Sequence, residues 1–412
     1  MSPRTILILT SSHLCRNPRV VKEATTLGAA GYDVTVMSVS MREDFERLDL
    51  ELMRGLPFRR KVLDYRRENR SARFSRLFQR AGTWGARRLC RLARIESAQS
   101  LGPANALLRL ARSHPADLTI AHTEIPLWAA GPLIRDGRRV AVDLEDWYSE
   151  DLLEDDRRTR PLRLLREAEA FALDRAVYTS VPSESMAAAL AQVHHRPAPI
   201  VLRNTFPLQR VSRLDRPAGN EPPALVWFSQ TIGPGRGLER FLATWALTQT
   251  RSRVHLMGAV SAEYRDELRA LVPDARRNDL RFIVPVAPDR LPAKLAEFDI
   301  GLALESRSPR NRDITISNKI LQYLNAGLAV IATATAGQSE VMQAAPACGL
   351  LVPPGEPAEL AVSLEHFLEN RGRLRASQAA ARAAAVAEFS WEHDAPRLLA
   401  AVEGALSKPV RP

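Results

Sequence analysis

Short apolar, β-branched runs separated by helical segments recur along almost the whole chain, and that alternation leaves few folds open. It begins at Ile6-Leu7-Ile8-Leu9, continues through a helical stretch over 20–27 that Gly28 and Gly31 are expected to end, and returns to a strand at 33–37. Strand–helix–strand units of this length build parallel, doubly wound sheets. Further strands are expected at 117–120, 140–143 and 176–179. A polar, proline-rich connector, PLQRVSRLDRPAGNEPP, occupies 207–223. Behind it a second series starts, with strands expected at 224–228, 253–256, 280–283, 299–302, 329–331 and 349–352. The expected architecture is α/β: two tandem Rossmann-like domains, 1–206 and 224–390, joined by the 207–223 linker, with a ligand cleft between them. The residues from 391 to 412 read as a terminal helical segment.

The 412 residues suffice for two such cores, and 45% of them are hydrophobic. No stretch approaches the roughly 18 consecutive apolar residues of a membrane span. The start, MSPRTILILTSSH, holds too short an apolar run for a secretory leader and reads as a first strand. Cys15, Cys90 and Cys348 have neither metal-ligand nor disulfide spacing and fit a reducing, cytoplasmic setting. The net charge of +11 is concentrated. Fourteen basic residues lie between Arg54 and Arg94 against Asp64 and Glu68 alone, a local +12, so the rest of the chain is near −1.

Two stretches of the second series are suited to phosphate. In SNKILQYLNAGLAVIAT, Thr315, Ser317 and Asn318 supply small polar groups at a helix start, where unpaired N–H groups and the helix dipole favour an anion. Lys319 adds a cation, Gln322 lies one turn on with both donor and acceptor atoms for ribose hydroxyls, and Gly327 ends the helix. In WFSQTIGPGRGLERF a glycine-rich loop with Gly235, Arg236 and Gly237 follows the first strand, and arginine suits a bidentate grip on phosphate. Either stretch taken alone also fits an ordinary helix cap or a tight turn.

Together, in order and spacing, these pieces resemble the family 4 type of GT-B glycosyltransferases, retaining enzymes that use nucleotide-sugar donors. RNPRVVKEATTLGAAGYDVTVMS is similar to that family's first helix and second strand, DLTIAHTEIPLWAAGPL to its histidine-bearing strand, and VLRNTF to the end of its first domain. IGPGRGLERFL resembles the donor loop, SNKILQYLNAGLAVIATATAGQSEV the nucleotide-sugar segment, and FSWEHDAPRLL a terminal helix that packs back on the first domain. The resemblance implies catalytic roles for His122 near the transferred sugar and for Arg236 and Lys319 on the donor diphosphate. It implies a donor site of Gly235, Gly237, Thr315, Ile316, Ser317, Asn318, Gln322 and Glu340, and an acceptor side with Arg19 and Asp146. Two departures stand out: Ile314 occupies the place of the first acid in the family's E-x7-E pattern, with Asp313 or Glu305 as stand-ins, and TSSHL lacks the usual glycine pair.

Transfer of a sugar from a nucleoside diphosphate requires the leaving diphosphate to be neutralised and the acceptor hydroxyl to be held in place. With no aspartate pair of metal-binding form, arginine, lysine and a helix start are expected to do this without metal or other cofactor. DLEDWYSEDLLEDD reads as a strand end followed by an exposed helix rather than a metal site. Within 54–95, Phe74, Leu77, Phe78, Trp84, Leu89 and Leu92 fall at helical spacings among arginines, a pattern that suits an anionic membrane surface. Arginine runs also suit nucleic-acid backbones or a solvated helix pair; the apolar stripe favours lipid, and nucleic acid is not an expected partner. The expected protein is thus a glycosyltransferase acting on a lipid-linked or polysaccharide acceptor, held peripherally on the cytoplasmic face of the plasma membrane. A nucleotide-sugar 2-epimerase, or an inactive nucleotide-sugar-binding protein, are the alternatives on the same fold.

Overall fold

Strands buried on both faces read as unbroken apolar runs, and TILIL is one: Ile6, Leu7, Ile8 and Leu9 are all buried. In the computed structural model, which describes residues 3–69, 73–209, 221–353 and 356–407, this run is β1 (Thr5–Leu9). It is followed by β2 (Asp33–Ser40), β3 (Arg59–Asp64), β4 (Leu118–His122), β5 (Val140–Asp143), β6 (Thr179–Val181) and β7 (Ile200–Val201). All pair in parallel, in the order β3-β2-β1-β4-β5-β6-β7. The second sheet holds β8 (Ala224–Thr231), β9 (Arg253–Ala259), β10 (Leu280–Ile283), β11 (Ile300–Ala303), β12 (Ala329–Thr333) and β13 (Gly349–Val352). Its order is β10-β9-β8-β11-β12-β13, again parallel throughout. Both sheets wind outward from their first strand in one direction and then, from the fourth, in the other. These are two Rossmann-like domains, and each has a topological switch point between its first and fourth strand.

The chain divides into two compact units, residues 1–202 with 395–412, and residues 203–394. The final helix, Trp391–Ser407, therefore begins in one unit and ends in the other. In the second unit, one face of the sheet buries Trp227, Trp245 and Phe367 with the helices Leu238–Ala246 and Pro357–Glu369. The other face buries Ile320, Tyr323, Val341 and Phe389 with the helices Asn318–Asn325, Ala336–Ala344 and Arg371–Ala387. A sheet covered on both sides leaves the ends of its strands open, and in sheets of this kind ligands gather at the carboxyl ends, where helix N-termini point.

Four local expectations are corrected. The basic segment opens with a strand, β3, because alternation turns Arg60 inward, where Glu46 and Asp49 neutralise it, while Arg59 and Lys61 face water. β6 starts three residues later than expected, at the point where buried Thr179 and Ser180 pair with β5 and Val181 with β7. Gly28 does not end the first helix, which runs Pro18–Ala29; it lies inside, where a Cβ would sit 2.0 Å from the Pro57 carbonyl oxygen. The acid-rich stretch after Asp143 is not an exposed helix but a 3-10 turn, Tyr148–Glu150, and one helical turn, Glu154–Arg157, because Trp147 and Tyr148 are drawn into the core. Most of the connector, 210–220, falls outside the described residues.

Candidate functional site

The carboxyl end of the second sheet collects most of the residues expected to meet a donor. β8 runs into a loop in which Gly235 and Gly237 have φ of 73° and 75°, a region that suits glycine, and Gly237 caps the Leu238–Ala246 helix. Arg236 lies between them with about a third of its side chain exposed. Ser317 caps the Asn318–Asn325 helix, its hydroxyl accepting from the Lys319 amide at 3.2 Å. Asn318 accepts at Oδ1 from Asn204 Nδ2 at 3.0 Å, which ties the helix start to the segment leading into this unit. Thr315 donates from Oγ1 to Asn311, Ile316 is buried, and Gln322 is buried one turn along the same helix.

A second helix start converges there. Thr335 caps the Ala336–Ala344 helix, which carries Glu340, and a Cβ at Gly337 would lie 2.4 Å from the Thr315 carbonyl oxygen. That close approach sets the helix start against the Thr315–Ile316 backbone. A pocket of about 360 Å³ opens beside these elements, lined by Gly235, Gly237, Glu305, Thr333 and Thr335 among others.

Glu305, just past β11, is the pivot. Its Oε1 accepts from Lys319 Nζ at 2.7 Å, and its Oε2 lies 3.9 Å from Arg236 Nη1. One carboxylate thus stands between two cations, one on the glycine loop and one in the first turn of the Asn318–Asn325 helix. Lys319 Nζ also sits 5.4 Å from the centre of the Trp227 ring. Asp313, the other stand-in for the missing acid, is taken up elsewhere: its Oδ1 accepts from the Ala336 amide at the start of the second helix.

The carboxyl end of the first sheet has the opposite character. Arg19 grips Asp143 with two hydrogen bonds, Nε to Oδ1 at 2.9 Å and Nη2 to Oδ2 at 2.6 Å, and lies 3.5 Å from Glu23. His122, at the end of β4, is wholly buried, with Nε2 3.1 Å from Glu23 Oε2 and Nδ1 3.0 Å from Glu145 Oε1. Burial alone would lower its pKa; the charge of Glu23 and the hydrogen bond to Glu145 outweigh this and push it up to about 10. Burial likewise disfavours charge on Asp143, but the Arg19 guanidinium holds its carboxyl below the usual range. Ser180 donates to Asp143 Oδ2 at 2.6 Å, and Asn17 Nδ2 to Glu145 Oε1 at 2.7 Å. Arg19 and His122 are thus enclosed within the first unit, while Asp146 is partly exposed beside them. Glu23, Asp143 and Glu145, which sequence reasoning did not single out, complete the network; the i,i+4 spacing of Arg19 and Glu23 on one helix was the available signal.

Among the described residues two groups of buried ligand-type atoms occur in this unit, Glu23–His122–Asp143 and His13–Glu46–Asp49. In each an arginine already supplies the positive charge, Arg19 on Asp143 and Arg60 on Glu46 and Asp49. That chemistry suits buried ion pairs better than a metal ion.

Residues 222–370 match the family model described as glycosyl transferases group 1, so the second unit carries a domain of that kind and the chain is a transferase. Solved structures similar to it span nearly its whole length at low identity. HepE of Anabaena is 17% identical, with a TM-score of 0.67 and coverage of 97% of this chain and 99% of its own. A sucrose-phosphate synthase from Thermosynechococcus elongatus is 15% identical, with a TM-score of 0.69 and coverage of 97% and 98%. A glycosyltransferase from Rickettsia africae is 13% identical, with a TM-score of 0.67 and coverage of 99% and 100%. These likenesses establish the GT-B fold. No curated protein matches the sequence.

Proposed function

We propose that the protein transfers a sugar from a nucleoside diphosphate sugar, bound at the carboxyl end of the second sheet, to a lipid-linked or glycan acceptor with retention of configuration, in the manner of family 4. The observation that carries this reading is the pair of cations, Arg236 and Lys319, around the single carboxylate of Glu305, beside two capped helix starts in a group 1 glycosyltransferase domain. HepE, similar in fold, has been solved with UDP and glucose, which supports a nucleotide-sugar donor.

In this reading the diphosphate enters between Arg236 and Lys319 and takes over the anion position that Glu305 now holds. The amides at the starts of the Asn318 and Ala336 helices add donors, and Gln322 meets the ribose. Released from Lys319, Glu305 turns on the sugar hydroxyls and stands in for the acid missing at Ile314; Glu340 supports the loop from behind. No metal or other cofactor is required, since the two cations neutralise the leaving group. The first unit serves the acceptor. There His122 and Arg19 act as positioning residues that hold the ends of β4 and β5, while Asp146 faces the acceptor. The basic segment 54–95 docks on the anionic inner face of the plasma membrane; among the described residues no helix is long and apolar enough to cross it.

A panel of nucleotide sugars and acceptors, with products resolved by mass, tests the activity. A new glycoside with the sugar's anomeric configuration kept is the expected product. Conversion of the donor alone to an epimeric sugar, or binding without any turnover, contradicts it.

A further inference from the structure

The Arg73–Ala93 helix of the first unit is packed inside out. Its small side chains Ala86 and Cys90 face the protein, while Phe74, Phe78, Trp84 and Leu92 are 73%, 76%, 66% and 70% exposed. Turning large apolar groups to water forgoes the hydrophobic gain that normally docks a helix, so this face is complete only against an apolar phase. The helix contains no acidic residue, and its arginines flank the apolar stripe.

Beside the helix lies a pocket of about 690 Å³, bounded by the Glu43–Leu52 helix and the chain leaving β3, and lined by Arg42, Arg47, Arg67, Arg76 and Arg80. Its acids are mostly spoken for: Asp44 pairs with Arg42, and Glu43 with Arg66 at 2.7 Å. Arg76 donates to the Arg66 carbonyl. Arg47, Arg67 and Arg80 have no carboxylate partner among the described residues, and against these three cations stands only Glu68. A cavity with surplus guanidinium groups next to an apolar stripe matches a ligand that is phosphate at one end and hydrocarbon at the other.

We infer that this pocket is a head-group site for a phosphate-bearing membrane lipid, which the exposed stripe of the helix accompanies into the acyl layer. The inference rests on the membrane reading above and adds to it a discrete site where diffuse charge alone would give none. The test measures binding of the full chain to phosphatidylcholine vesicles with and without phosphatidic acid, and to short-chain phosphatidic acid and inorganic phosphate in solution.

Binding is expected only to vesicles that contain phosphatidic acid. Loss of one basic contact lowers such binding about fivefold, so Arg67→Gln with Arg80→Gln should lower it about 25-fold. The pair Arg88→Gln with Arg91→Gln, equal in charge but outside the pocket, should cost several times less. Phe78→Ser with Trp84→Ser should abolish vesicle binding yet leave short-chain phosphatidic acid bound. A far-ultraviolet circular dichroism spectrum and a cooperative thermal melt, unchanged in all three variants, check that each is folded. Equal losses from the two arginine pairs overturn the head-group site while leaving membrane docking in place. Failure of the wild type to bind phosphatidic acid vesicles overturns both, and inorganic phosphate bound as tightly as the short-chain lipid makes it a free-anion site instead.

Discussion

The two sheets are wound alike, yet their carboxyl ends treat charge in opposite ways. In the first, Arg19 and His122 face Glu23, Asp143 and Glu145, and every one of these except Glu145 is almost fully buried. The charges are satisfied within the protein, and the network acts as a fastener for β4, β5 and the first helix. In the second, Arg236 and Lys319 share Glu305 alone among the described residues, and Arg236 reaches solvent. A positive excess at the end of a sheet, beside helix starts, is what an anionic ligand can use. The same topology thus carries one switch point whose cations are matched by carboxylates and one left with a positive excess, and the count of carboxylates makes the difference.

The largest effect that would break this contrast lies in the first unit. Asp143→Asn leaves the Arg19 guanidinium buried without its counter-charge and should cost about 3–5 kcal/mol of stability, read as a lowered denaturant midpoint. A near-neutral outcome would mean that the network is not a fastener. In the second unit Lys319→Ala should cost less stability, since Arg236 still faces Glu305 at 3.9 Å. It should weaken nucleoside diphosphate binding by about 1.5–3 kcal/mol, the value of a charge-assisted hydrogen bond, as measured by calorimetry.

The pH dependence of unfolding sharpens the comparison. Two groups of the first unit, His122 and Glu169, lose their contributions as pH rises, while that of Asp143, held low by Arg19, is lost only as pH falls. The imidazolium of His122, raised from 6.5 to about 10, contributes stability that is complete below pH 6.5 and lost as pH climbs toward 10. Glu169, which accepts from Trp147 Nε1, Ser149 N and Ser149 Oγ, is pushed by burial from 4.5 to about 7 in spite of those bonds. Its protonated form is the favoured one, so its contribution is present below pH 4.5 and is lost as pH rises through 7. Glu169→Gln should flatten the slope of the unfolding midpoint between pH 4.5 and 7, and leave the slope above it. The smallest expected effect is at Glu305. Glu305→Gln removes the anion that competes for the two cations and should tighten nucleoside diphosphate binding by roughly 1 kcal/mol at low salt, while slowing transfer.

The alternation of apolar runs and helices made both sheets legible from sequence, because strands buried on two faces carry no ambiguity of face. β3 was not legible: RRKVLD reads as solvated charge, and only the acids of the preceding helix, Glu46 and Asp49, make room for Arg60 inside. At the candidate donor site the glycine loop, Ser317 cap and Lys319 could be read from local rules of capping and phosphate binding. Glu305 was harder to weigh, since an acid beside a phosphate site looks misplaced until Lys319 and Arg236 are seen on either side of it. His122 was recognised by likeness to a family strand, but nothing local in the sequence announces that three carboxylates from separate elements surround it. The inverted helix was legible in part: apolar spacings among arginines marked it as amphipathic, and the fold alone decides that Ala86 and Cys90 face inward.

The most direct test is titration of UDP, GDP, ADP and CMP into the wild type, Arg236→Ala and Gln322→Ala, by calorimetry and thermal shift. One diphosphate should bind, stabilising the fold by about 2.7 kcal/mol at a hundred times its dissociation constant, and both variants should lose most of that affinity. If no nucleotide binds, or the variants bind as well as the wild type, then the positive excess at the end of the second sheet is not a donor site.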